Sequence, residues 1–246
     1  MFFVRDLITR AKKLLDICYT YCMSTLYIVS TPIGNLEDIT LRALRVLKEV
    51  DIIFCEDTRV TKKLLTHFDI HTPTESFHQH SGDRKTDHVV SLLSDGKNLA
   101  LVSDAGTPGL SDPGGPLVHD VRAKLGNSIQ IVPIPGASAL AALIAVAGIP
   151  MDSFVFLGFL PHKKGRQTLF KEIAESERTT IFYESPHRIS KTLESLEAAL
   201  DPTRIIVIGR ELTKKFETIY IGPVQQVKKD LDQIMGEFVV AVAGKR

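Results

Sequence analysis

The densest run of groups with chemical use lies between Asn98 and Gly115, NLALVSDAGTPGLSDPGG. Ser103 and Thr107 offer hydroxyls and Asp104 a carboxylate, while Gly106 and Gly109 let the backbone come close to a ligand. Leu99–Val102 ahead of them is the short apolar run of a strand buried on both faces. The Gly and Pro density that follows ends any regular element. In an open α/β sheet ligands bind at such strand ends; the alternative is a tight turn with structural glycines. Glu56 and Asp57 close a second apolar run, where a partly desolvated carboxylate can act as a base. The alternative there is a helix N-cap made by Asp57 or Thr58. A cationic group follows later: Lys163, Lys164 and Arg166, then His187, Arg188, Arg210, Lys214 and Lys215. Together these make a phosphate-binding face or, each alone, solvated surface. His78-Gln79-His80 holds two imidazoles but no third ligand at sensible spacing, so a polar loop without metal is expected. GxGxxG, GxxxxGK[ST] and GxSxG are all absent, which leaves a standard dinucleotide fingerprint, a P-loop and a hydrolase elbow unsupported.

The elements that must position these groups alternate. Leu26–Ser30, Asp51–Cys55, Leu99–Val102 and Ile129–Ile134 read as strands, and helical spacing covers 39–49, 61–68, 86–94, 116–125 and 139–146. Strand–helix alternation with Gly or Pro loops at strand ends predicts a parallel sheet wrapped by helices. Residues 71–83 read as a polar loop. Gly148-Ile149-Pro150 is the expected boundary, dividing a parallel α/β domain at 23–149 from a mixed-sheet α/β domain at 150–246. In the second domain, strands are expected at 154–159, 179–183, 205–208, 218–221 and 238–242, with helices near 166–176 and 187–200. The last three strands follow one another too tightly for helical crossovers, so part of that sheet should be antiparallel.

The chain has 246 residues, 44% hydrophobic and 24% charged, with a net charge of +1. That is a soluble globular composition with no global field drawing it to nucleic acid, so any RNA contact needs a local basic patch. Cys18, Cys22 and Cys55 show neither disulfide nor zinc spacing, which suits a reducing cytoplasm. No apolar run reaches the roughly 18 residues of a membrane span. Residues 1–22 form a basic, loosely helical stretch without a signal-peptide core, read as a leader or extension outside the fold, with Met23 as a candidate start.

Seven motifs in order carry a resemblance: Thr31–Asp38 (TPIGNLED), Glu56–Arg59 (EDTR), Ser103–Pro108 (SDAGTP) with Asp112-Pro113-Gly114, Pro135–Ala139 (PGASA), Gly158–Pro161 (GFLP), Tyr183–Arg188 (YESPHR) and Arg210–Lys214 (RELTK). From about Ser24 onward the chain resembles the tetrapyrrole (corrin/porphyrin) methylase superfamily and, within it, the branch that methylates ribosomal RNA. The resemblance implies two α/β domains of the class III methyltransferase type with S-adenosylmethionine in the cleft between them. It also implies 2′-O-methylation of a cytidine ribose in the decoding region of small-subunit (16S) ribosomal RNA, as free RNA or assembled 30S particle, by a cytoplasmic homodimer without membrane or DNA contact. Carried onto this sequence, the cofactor residues are Pro32, Gly34, Asp104, Ala105, Gly106, Thr107, Gly109, Gly136, Ala137, Ser138 and Tyr183. The chain ends after Arg246, whereas some relatives carry a further helical tail.

Methyl transfer from a sulfonium needs in-line positioning and help in removing the hydroxyl proton. Glu56, Asp57 and Glu211 are the candidates for that base. Arg59, His80, Lys163, Lys164, Arg166, His187, Arg188 and Lys214 are the candidate RNA contacts. Two other readings remain beside it: a tetrapyrrole carbon methyltransferase of the same fold, and a non-catalytic RNA-binding module.

Overall fold

The structure is a computed structural model, and it describes residues 23–78, 82–112 and 114–245. The 1–22 leader, with Cys18 and Cys22, and His80 lie outside the described residues. Among the described residues the strands form two five-stranded sheets, each in its own compact unit.

The first unit runs to Thr31 and resumes over Ile39–Gly136. Its elements are β1 (Thr25–Val29), α1 (Leu41–Glu49), β2 (Ile52–Cys55), α2 (Thr58–His67), β3 (Thr74–Ser76), α3 (Gly82–Ser94), β4 (Leu99–Val102), α4 (Gly114–Leu125) and β5 (Gln130–Ile134). The strand order is β3-β2-β4-β1-β5 and every pairing is parallel. Parallel neighbours need crossovers, and right-handed crossovers in the two directions along the sheet place helices on opposite faces. The packing agrees. Ala43, Val46 and Leu47 of α1 and Leu65 of α2 cover Val29, Ile53, Cys55, Ala100, Val102 and Ile134. Val89 and Leu93 of α3 and Leu117 and Val121 of α4 cover Leu26, Phe54, Leu99 and Leu101. In β4 alternate residues go to alternate cores, which is why LALV must be apolar throughout. β3 lies inside the stretch read as a loop. It is a short edge strand of half-buried residues, held by backbone pairing to β2 and without an apolar pattern of its own.

The second unit comprises Pro32–Asp38 and Ala137 onward. It contains α5 (Ala139–Val146), β6 (Phe154–Phe159), α6 (Arg166–Glu175), β7 (Thr179–Glu184), α7 (Ile189–Ala199), β8 (Ile205–Arg210), β9 (Thr218–Pro223), α8 (Val224–Asp230) and β10 (Phe238–Val242). The order is β6-β7-β10-β8-β9, with β6–β7 parallel and the other pairs antiparallel, the mixed sheet expected. One face takes Phe238, Val240 and Val242 of β10 into a core with Phe170, Ile173, Leu193 and Leu196. The other takes Val239 and Ala241 into a core with Leu143, Ile33 and Leu212. Two features depart from the expectation. A seven-residue helix, α8, follows β9, anchored by Val224 and Val227 at a spacing of three. The units also part at Gly136/Ala137, ahead of Gly148–Pro150, because α5 packs on the second sheet: a Cβ on Gly209 of β8 would lie 3.0 Å from Leu143 Cδ1. No described helix is long and apolar enough to cross a membrane.

Candidate functional site

Parallel pairing brings the carboxyl ends of β2, β4, β1 and β5 side by side, and their loops are tied to one another. Thr31 and Gly106 exchange backbone hydrogen bonds at 3.0 and 3.1 Å, forming an isolated antiparallel bridge. The buried Thr31 hydroxyl donates to the Ser103 carbonyl at 3.0 Å, and the Ser30 and Thr107 hydroxyls lie 3.0 Å apart. The Asp57 N–H donates to Asp104 Oδ1 at 3.0 Å, so the β2 loop is pinned to the β4 loop. Gly136 closes the arrangement on the β5 side, where a Cβ would sit 2.9 Å from Ser30 Cβ. Gly106 and Gly109 have φ of +88° and +91°, a backbone region that side chains rarely adopt. Asp112 accepts from the Gly109 and Gly114 N–H groups and holds the far end of the loop into α4.

The adjacent carboxylates Glu56 and Asp57 have different roles. Asp57 is the N-cap of α2, accepting from the Arg59 N–H at 2.8 Å and pairing with the Arg59 guanidinium at 2.6 Å. Those bonds lower its pKa from 3.8 to about 2, so the capping alternative describes its structure and it is a weak base. Glu56 is half-buried. Burial, then the carboxylates of Asp104 and Asp112, push its pKa up, while the Ser103 hydroxyl at 3.2 Å and the Asp104 N–H pull the other way. Among the described residues, none of Glu56, Asp104 and Asp112 is ion-paired. Three unneutralised carboxylates beside small hydroxyls and open backbone fit a cationic group better than a phosphate. The missing Cβ at Gly136 makes room for the Ser30 side chain, so the β5 and β1 strand ends close on each other.

The remaining candidates lie in the second unit. Tyr183 is half-buried, its ring 5.0 Å from Phe156 and 5.4 Å from Phe159, and the Leu140 N–H and the Ser138 hydroxyl meet its oxygen. Burial raises its pKa, so it is a neutral phenol. Ala137 packs in the same core. Pro32 is buried, and Gly34 lies under the Lys214 stem, where a Cβ would be 2.3 Å from Lys214 Cγ. Glu211, at φ +52°, accepts from Lys214 Nζ at 3.0 Å and from the Glu237 N–H at 2.9 Å. Burial raises its pKa, but these donors outweigh burial and the net shift is downward. Lys163, Lys164 and His187 are exposed. Arg166 and Arg188 are not: both turn inward onto the buried Glu184. Arg59 pairs with Asp57, with its side chain 87% exposed. The residues not singled out as candidates are Ser30, Thr31, Asp112 and Glu184. Ser103, read from the sequence as a hydroxyl for a ligand, reaches Glu56 at 3.2 Å. Ser30, Thr31 and Asp112 are small polar groups at strand ends or in the loops that follow, a signal the sequence carried. Glu184 is visible only through its contacts.

The comparisons extend this picture. The family model described as Tetrapyrrole (Corrin/Porphyrin) Methylases matches residues 25–228. The Ribosomal RNA small subunit methyltransferase I of Escherichia coli O157:H7 is 47% identical over 226 residues, 90% of this chain and 78% of the relative. That of Vibrio cholerae is 48% identical over 226 residues, 90% of this chain and 77% of the relative. Among solved structures, that of the methyltransferase CobJ has a TM-score of 0.67 at 19% identity, covering 91% of this chain and 96% of its own, and so shows the fold alone. With the fold, the ordered loops and this identity together, the chain belongs to the tetrapyrrole (corrin/porphyrin) methylases, in the family of the ribosomal RNA small subunit methyltransferase I enzymes.

Proposed function

We infer that this methyltransferase uses S-adenosylmethionine to methylate the ribose 2′-oxygen of a cytidine in the decoding region of small-subunit (16S) ribosomal RNA. It would act in the cytoplasm, as a homodimer. The RNA substrate is supported by the 46–48% identity to several relatives named for that activity. The 19% identity to CobJ argues for no substrate. The observation that carries the chemistry is the half-buried Glu56, raised in pKa beside Asp104 at the end of the parallel sheet.

The cofactor, when bound, supplies an electrophilic methyl group on a sulfonium. Asp104, Gly106, Thr107, Gly109 and Gly136 would hold it with backbone groups and one negative charge. Glu56 takes the proton from the 2′-hydroxyl. Its raised pKa makes it a stronger base than an ordinary carboxylate, closer to the optimum for neutral pH. Ser103 and the Asp104 N–H orient the Glu56 carboxylate, and Thr31, Ser30 and Thr107 fix the loops around it. Asp57 and Glu211 serve structure instead, as a helix cap and a loop anchor. The exposed Phe154 and Val155 on edge strand β6 support a second copy as neighbour.

Incubating the protein with S-adenosylmethionine carrying a labelled methyl group, with 30S particles or free 16S RNA from cells lacking the modification, tests the reading. Label on a single cytidine 2′-oxygen is expected. No transfer to either RNA, or transfer to a tetrapyrrole carbon, refutes it. Sedimentation of the purified protein tests the dimer.

A further inference from the structure

Glu184 has no role in the chemistry above, yet its side chain is 0% exposed. A carboxylate taken out of water must be matched by donors, or it destabilises the fold. Four surround it: Arg188 Nη2 at 2.7 Å, Arg166 Nη2 at 3.3 Å, the Thr192 hydroxyl at 2.6 Å and the Ser185 N–H at 2.9 Å. Each arginine then uses its other terminal nitrogen on a backbone carbonyl of the loop leaving β6. Arg188 Nη1 donates to the Leu160 carbonyl at 2.8 Å and Arg166 Nη1 to the Pro161 carbonyl at 3.1 Å. The planar, always-charged fork of arginine suits such two-ended bracing.

The braced loop begins at the register break in β6, where Gly158 has φ +62°, and ends at Gly165, φ +82°, the N-cap of α6. Pro161–Gly165 are exposed, and Lys163 and Lys164 stand among them. Two exposed lysines on a loose loop lose most of their attraction for a phosphate backbone to the cost of ordering the loop. Two lysines on a braced loop do not.

We propose that Glu184 is a positioning residue for RNA: through Arg166 and Arg188 it fixes the loop that presents Lys163 and Lys164 to substrate phosphates. The proposal rests on the reading of RNA as substrate given above. Two phosphate contacts on a single strand, at a salt exponent of about −0.7 each, are worth roughly 14-fold in affinity at about 0.15 M salt.

The test compares wild type, Lys163→Ala/Lys164→Ala, Glu184→Gln and the triple variant for the RNA KM, kcat, cofactor affinity and salt dependence, with 16S RNA as substrate. The lysine pair should raise the RNA KM by roughly 14-fold and flatten the salt exponent by about 1.4. Glu184→Gln should raise the RNA KM up to the same fold, leave kcat and cofactor affinity unchanged, and speed amide exchange across residues 158–165. In the lysine-free background Glu184→Gln should add nothing. Arg166→Lys keeps the charge but cannot reach Glu184 and Pro161 together, and should reproduce the KM-selective effect if the glutamine variant fails to fold. An unchanged KM in Glu184→Gln overturns the proposal, as does an effect that persists in the lysine-free background or one that falls equally on cofactor affinity. Wild type that methylates RNA with a KM indifferent to Glu184 sinks this proposal alone. Wild type that binds cofactor but neither binds nor methylates RNA sinks the substrate reading and this proposal with it.

Discussion

Replacing Gly136 with alanine tests the strand-end architecture most directly. The added carbon would sit 2.9 Å from Ser30 Cβ and 3.4 Å from the Ser30 carbonyl oxygen. Carbon atoms are comfortable near 3.6 Å, so one side must yield by about 0.7 Å. Ser30 has little room to give. Its N–H is bonded to the Ile134 carbonyl at 3.1 Å, its hydroxyl faces Thr107 at 3.0 Å, and the next residue bridges to Gly106. Overpacking of this size costs about 1–3 kcal/mol. At about 2–4 °C per kcal/mol for a chain of this length, the Tm should fall by about 2–12 °C. A displacement of nearly 1 Å passed to the Asp104–Gly109 loop should also weaken cofactor binding or turnover by roughly ten- to a hundredfold. Scanning calorimetry gives the first quantity, and titration calorimetry with S-adenosylmethionine the second. Gly115→Ala is the control. A Cβ there meets nothing within 4 Å, it lies in α4, and it should be neutral or stabilising by up to about 1 kcal/mol. Adding Ser30→Gly to Gly136→Ala removes the opposing Cβ and should restore part of the lost binding. A Gly136→Ala protein with wild-type Tm and cofactor affinity would refute the idea that these loops are set by close backbone approach.

Glu56→Gln should lower kcat by roughly 10²–10⁴ and remove the acid limb of the pH–rate profile, whose midpoint in wild type should lie above 4.5. Its raised pKa means that Glu56 favours the fold fully below pH 4.5 and loses that contribution as pH rises through the folded value. The glutamine variant should therefore be the more stable protein above that value and level with wild type in acid, as denaturant midpoints across pH will show. Asp57 has the opposite sign: its contribution is complete above pH 3.8 and lost as pH falls through about 2. Asp57→Asn should flatten the decline in stability over that window while leaving methyl transfer largely intact; a collapse of turnover would show Asp57 to be more than a cap. Leu143, 0% exposed between α5 and the second sheet, should cost about 2–5 kcal/mol when cut to alanine, read as a drop in urea midpoint. An unchanged midpoint would refute the packing of α5 on the second sheet and return it to the first domain.

Local pattern was enough for what depends on local pattern. Apolar runs marked β2 and β4 as strands, β4 as one buried on both faces, and the helical spacing over 39–49 marked α1, although the structure buries Ala43, Val46 and Leu47 and leaves Leu41 86% exposed. Gly and Pro at the strand ends marked the loops, because a backbone at φ near +90° or pressed against a neighbour tolerates little else. The order of seven motifs, compared with a known family, supplied the cofactor. The tertiary structure decided what depends on partners distant in the chain. Glu56 and Asp57 are neighbours with identical chemistry; burial beside Asp104 raises one, and capping plus Arg59 lowers the other. Arg166 and Arg188 read as surface cations, yet a buried carboxylate many residues away from Arg166 draws both inward. β3 exists because β2 offers it an unpaired edge, and α5 joins the second unit because Gly209 leaves room for Leu143. Side-chain periodicity records which face of an element is buried, since that repeats every 2 or 3.6 residues. It carries no record of which charge meets which across the fold, and in this protein those meetings separate the raised carboxylate of Glu56 from the cap at Asp57.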